Sequence, residues 1–272
     1  MPLLILTLLA LLLIAWFVWQ PRIQAWRRRR TQADPFPSAW RAILRRRVPA
    51  FARLPAALQL QLKKQIQVFL AEKEFIGCQG QAINDEVRVT IAAQACMLLL
   101  GRPEHHYPSL RQVLVYPGAF RIQREHTSED GVVQSRRDVL VGESWEQGQV
   151  ILSWDDVLHG AADPHDGWNV VLHEFAHQLD SESGLTNGAP DLGSAQRYAR
   201  WSRVMQAAYD RLCEAVDRGL DTFLDPYAAT DPAEFFAVIT ETFFEQGPDL
   251  RLEHPDLYAE LKAFYQVDPA SW

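Results

Sequence analysis

The sequence predicts an α+β fold, mainly helical with a small sheet. Three observations carry that prediction. Apolar residues Leu54, Leu58, Leu62, Ile66 and Phe69 recur at steps of three or four, the period of a helix with one buried face. The middle of the chain holds short β-branched runs bounded by turn residues. After Asp156 helix-start signals return. Strands grouped between helices, rather than alternating with them, are the mark of an α+β arrangement.

Taken in order, residues 1–20 are expected to be a transmembrane anchor. Leu3 to Trp19 is apolar apart from Thr7, with Trp16 and Trp19 where an interfacial belt would lie. The Arg27–Arg30 cluster follows the run, and Gln20-Pro21-Arg22 is a poor cleavage site, so a retained anchor is favoured over a signal peptide. By the positive-inside tendency the expectation is a single pass through the inner membrane, with the C-terminal body facing the cytoplasm. Residues 21–38 read as a basic juxtamembrane linker ending at Asp34-Pro35-Phe36-Pro37-Ser38, whose arginines are suited to anionic lipid. Residues 39–272 read as one domain. Its helices are expected over Trp40–Phe75 and Val87–Leu100, then from near Asp166, Ser194, Asp231 and Pro255. Its strands are expected at Val113–Tyr116, Val132-Val133, Val139–Val141 and Val150–Ser153.

The formal net charge of −7 conceals an asymmetry. Residues 20–53 carry ten arginines and one acid, Asp34, which leaves −16 on residues 54–272. An acidic body argues against direct nucleic-acid binding. Cys78, Cys96 and Cys213 are odd in number and form no CxxC pair, which fits free thiols in a reducing compartment.

The chemistry centres on His173-Glu174-Phe175-Ala176-His177, an HExxH motif on an expected helix. Histidines at i and i+4 share a helical face, so both imidazoles reach one ion, and Glu174 leaves the same cylinder close to a water at the metal. Zinc accepts imidazole and carboxylate donors and is the expected cofactor, one ion. The metzincin spacing is excluded, because Asp180 and Ser183 stand where it needs Gly and His. Asp180 reads equally as an orienting partner of an imidazole and as a polar helix-end residue. A third ligand is sought downstream. Glu234, in Asp231-Pro232-Ala233-Glu234, is preferred over Glu241, seven residues on and on the same face. That tetrapeptide also fits a capping box with proline at N1. A closed structural site would need a fourth protein ligand, for which His126, His159 and His165 are the residues to inspect.

The segments Val113–Pro117, Gly142–Trp154, HEFAHQLD at His173–Asp180 and DPYAATDPAEFFAVITETFFE at Asp225–Glu245 resemble the Mlc titration factor A (MtfA) family of zinc metallopeptidases. The resemblance runs from about residue 36 to the C-terminus. It implies a zincin-like fold and peptide substrates, with aminopeptidase-like action on small peptides. It implies His173, His177 and Glu234 as metal ligands, Glu174 as catalytic base, and Tyr227 as a hydrogen-bond donor to the transition state. Gln134 stands where some members place a metal-associated histidine. The family's link to a transcriptional repressor supplies a second reading: a membrane-tethered protein that sequesters a regulator, with peptidase activity secondary.

Overall fold

The computed structural model describes residues 2–102, 104–118, 120–127, 133–140, 142–145 and 148–272. Four helices open the chain: α1 (Pro2–Ala33), α2 (Ser38–Arg47), α3 (Ala50–Arg53) and α4 (Ala56–Glu72). The single helical stretch expected over Trp40–Phe75 is therefore broken into three. Pro49 and Pro55 sit at the breaks, where proline lacks the N–H that would continue the preceding helix. Strand β1 (Glu74–Gly77) follows and takes Phe75 out of the helix. Helix α5 (Asp85–Met97) begins at Asn84, whose side chain accepts a hydrogen bond from Val87 N.

The middle of the chain supplies β2 (Gln112–Tyr116), β3 (Phe120–Thr127), β4 (Val133–Leu140), β5 (Gly142–Trp145) and β6 (Gln149–Ser153). Among the described residues these form two sheets. One has the order β1-β2-β6-β5, in which β1, β2 and β6 run parallel and β5 is an antiparallel edge. The other is the β3–β4 hairpin, with Phe120 opposite Leu140 and Thr127 opposite Val133. Val132 and Val141, named in the strand expectations, lie outside the described residues. In β2, Val113 and Val115 are buried and their neighbours partly exposed, as a half-covered strand requires.

Helices return with α6 (Trp154–Ala162), α7 (Val170–Ser181), α8 (Ala195–Asp217), α9 (Pro232–Glu245), α10 (Gly247–Glu253) and α11 (Pro255–Tyr265). The expected starts at Ser194, Asp231 and Pro255 hold, and the first two are side-chain caps. The start expected near Asp166 falls instead at Asn169, which caps α7 through Leu172 N. Helix α7 is the centre of the body. It packs on α5, α6, α9, β5 and β6, and Phe175 is fully buried against Tyr107, ring centroids 4.9 Å apart.

The expected membrane anchor is corrected. Among the described residues no helix is long and apolar enough to cross a membrane, so the single-pass inner-membrane placement, with the body on the cytoplasmic side, is not supported. The apolar run leads without a break into the basic segment within the one helix α1. Its basic half lies on the body: the Arg28 guanidinium donates to both Glu72 carboxylate oxygens at 2.7 and 2.9 Å. All three cysteines are free, as expected.

Candidate metal centre

Two helices build the site. The apolar residues Val170, Val171, Leu172, Phe175, Ala176 and Leu179 bury α7, while His173 and His177, one turn apart, turn toward α9. Helix α9 starts where Asp231 Oδ1 accepts from Ala233 N at 2.8 Å and Glu234 N at 3.0 Å, with Pro232 at the first helical position. The capping signal in the sequence is thus real, but the Glu234 carboxylate faces the imidazoles. Asp231 thus supplies the cap, and the Glu234 side chain is left free of it.

Among the described residues His173, His177 and Glu234 form the one group able to hold a metal ion, with donor atoms within 4.8 Å of one another. His173 Nε2 lies 3.2 Å from His177 Nε2. Glu234 Oε2 lies 3.0 Å from the first and 3.7 Å from the second. Donors about 2.0–2.1 Å from a tetrahedral ion stand about 3.3 Å apart, so these three separations bracket one face of such a site. Glu234 Oε2 is moreover buried without a hydrogen-bond partner, an orphan that a cation would satisfy. The residues fit the ion the motif implies.

Behind His173 the imidazole is braced. Its Nδ1–H donates to Glu241 Oε1 at 2.7 Å, which leaves Nε2 for the donor cluster. Glu241 Oε2 accepts from the backbone N–H of Asn169. Asn169 Nδ2 donates to Gly160 O at 3.0 Å and to Glu245 Oε1 at 2.9 Å. Glu241, the alternative third ligand, therefore serves the far nitrogen of the same histidine. Asp180 accepts from Gly188 N at 2.7 Å through Oδ2, and its Oδ1 and His177 Nδ1 are both buried without a partner. Gly188 has φ +77 and a Cβ there would stand 2.3 Å from Pro232 O, so this loop packs directly on the start of α9.

Electrostatics separate the carboxylates. Burial pushes the Glu174 carboxyl up to about 7, against the pull of His173 and His177. Burial also acts to raise Glu234, but both imidazoles outweigh it and hold that group well below the usual carboxylate range. Burial opposes the charged form of His173, yet the Glu234 and Glu241 carboxylates raise it well above the ordinary imidazole value. Tyr227 lies on a 3-10 turn, Pro226–Ala229, its ring centroid 6.3 Å from that of His173. Partial burial and then the charges of Glu234 and Glu174 push its phenol up to about 12.

All five expected site residues thus come together. His159 and His165 do not join: His159 packs edge-on against Trp168, and His165 Nε2 lies 3.5 Å from an Arg53 nitrogen. The side chains of His126 and Gln134 lie outside the described residues. Sequence reasoning missed Asn169 and Glu245. Asn169 carried a signal, a capping residue just before an apolar run.

A buried HExxH helix, a carboxylate donor from a following helix and an acid held ready beside them define the site of a metal-dependent peptidase. The chain belongs to the family described as glucose-regulated metallo-peptidase M90, whose model matches residues 23–266. It is 44% identical over 256 residues to an uncharacterized protein of Synechocystis sp., covering 93% of each chain. It is 34% identical to Mlc titration factor A of Pectobacterium atrosepticum over 235 residues, 85% of this chain and 86% of that one. Against Mlc titration factor A of Escherichia fergusonii the identity is 32% over 226 residues, 82% of this chain and 84% of that one.

Proposed function

We propose that this protein is a zinc-dependent peptidase with a zincin-like fold, acting in aminopeptidase fashion on small peptides. The observation that carries the reading is the convergence of His173 Nε2, His177 Nε2 and Glu234 Oε2 beside Glu174, a buried carboxylate whose Oε2 has no hydrogen-bond partner. Zinc held by those three donors would supply Lewis acidity toward a water and a scissile carbonyl. The chain's own groups supply the rest. Glu174, poised near neutrality, takes a proton from the attacking water and passes it to the leaving amine. Tyr227 keeps its hydroxyl proton at neutral pH and offers it to the developing oxyanion. Among the described residues strand β5 is the edge of its sheet and packs on α7, an arrangement suited to pairing with an extended peptide.

The test is Glu174→Gln. The variant should retain zinc and lose about 100-fold or more in kcat on peptide substrates. Full activity with zinc retained would refute the mechanism.

A second reading rests on the name of two relatives, Mlc titration factor A. Here the domain binds a transcriptional repressor and hydrolysis is secondary. Under it, Glu174→Gln keeps both repressor binding and biological effect. Under the first, the effect disappears with the activity.

A further inference from the structure

Two carboxylates seven residues apart on α9 face α7, and the structure gives them opposite sides of one imidazole. Glu234 meets Nε2 and Glu241 meets Nδ1 of His173. Glu241 is 3% exposed and has both oxygens engaged as acceptors, one from His173 Nδ1–H and one from Asn169 N–H. Asn169 is itself fixed at three further points: its Oδ1 caps α7 at Leu172 N, and its Nδ2 reaches Gly160 O of α6 and Glu245 of α9. A Cβ at residue 160 would stand 2.9 Å from Asn169 Cα, so glycine is what lets α6 approach. The brace thus ties α6, the start of α7 and the middle of α9 to a single ring.

We infer that Glu241 is the positioning residue for His173, fixing the tautomer and ring angle that turn Nε2 toward the metal, and that Asn169 holds Glu241 in place. The inference rests on the metal reading of the site and adds to it how one ligand is aimed. An imidazole with its proton on Nδ1 has its lone pair on Nε2; with the proton on Nε2 it cannot ligate from that side. A carboxylate at Nδ1 permits only the first arrangement. Glu241 needs two acceptor oxygens to do this, because Asn169 N–H claims the other.

That requirement makes Glu241→Gln the decisive change. Glutamine keeps the shape and volume of the side chain but has one acceptor oxygen and one donor nitrogen. It satisfies Asn169 N–H or His173 Nδ1–H, never both. Zinc affinity, measured by competition with a chromophoric chelator on full-length protein, should fall about 10- to 100-fold. Glu241→Asp, which retains two acceptors, should recover part of the loss. Circular dichroism and the melting temperature of the chelator-stripped proteins show whether each variant is folded. A space-filling role would leave the Gln variant indistinguishable from wild type, and equal affinity within about threefold overturns the inference. An affinity loss matched by unfolding of the stripped Gln variant also overturns it. Failure of the underlying reading looks different: wild-type protein would then take up no zinc at all.

Discussion

Replacing Glu245 by glutamine should make the protein more stable at neutral and alkaline pH and flatten its dependence on pH. Glu245 is 4% exposed, on the last turn of α9. Burial, followed by the charges of Asp166 and Glu241, pushes its carboxyl from 4.5 to about 9, against donation from Asn169 and the Gly167 backbone. The native protein therefore keeps a proton that the unfolded chain releases. Stability contributed by this group is complete below about pH 4.5 and falls as pH rises toward 9. Each pH unit within that window removes about 1.4 kcal/mol, so between pH 5 and pH 8 the loss is on the order of 4 kcal/mol. Glutamine mimics the protonated acid, can still accept from Asn169 Nδ2, and has no proton to release. Urea unfolding of wild type and Glu245→Gln at pH 5, 6.5 and 8 isolates the effect, since every other titrating group is common to both. The two stability curves should diverge as pH rises, with the variant above. Parallel curves would refute the burial argument.

Under the proposed mechanism Tyr227→Phe should lower kcat about 100-fold or more with little change in KM, because the hydroxyl would then act on charge that develops only in the transition state; steady-state kinetics on a peptide substrate decide it. Asp231→Ala removes the side chain that caps α9 at Ala233 N and Glu234 N and should cost about 1 kcal/mol in thermal or urea unfolding. Because Glu234 lies in that first turn, the same variant should bind zinc more weakly in the chelator competition.

Much of the site was legible because both its halves announce themselves locally. HExxH fixes two donors within five residues, and Asp231-Pro232-Ala233-Glu234 marks a helix start whether or not the glutamate ligates. What the sequence could not rank was Glu234 against Glu241. They share a face of α9, and only the crossing of α9 over α7 puts one before His173 and the other behind it. Asn169 was passed over, since its backbone N–H acquires a partner 72 residues away. Strand β1 was missed for a related reason: four residues carry little periodicity, and its pairing with β2 is a tertiary event. The anchor expectation erred because sixteen apolar residues over Leu3–Trp19 look the same whether a helix stops after them or runs on, as α1 does, to pack a basic half on α4 through Arg28 and Glu72. The breaks at Pro49 and Pro55 were missed although proline signals them locally, because the apolar period runs across both.

The site's division between two distant helices governs when it comes into being. Glu234 follows His177 by 57 residues, and the bonds that orient His173 and Asn169 reach 68 to 76 residues along the chain. At about 5–20 residues per second, a nascent chain carries its paired histidines for roughly 3 to 11 s before Glu234 is even synthesised. During that interval neither the metal face nor the brace exists. A ribosome stalled in α8 would release a polypeptide bearing the whole HExxH signature and no competent centre. Hydrolytic power is thereby withheld until translation has passed Glu245.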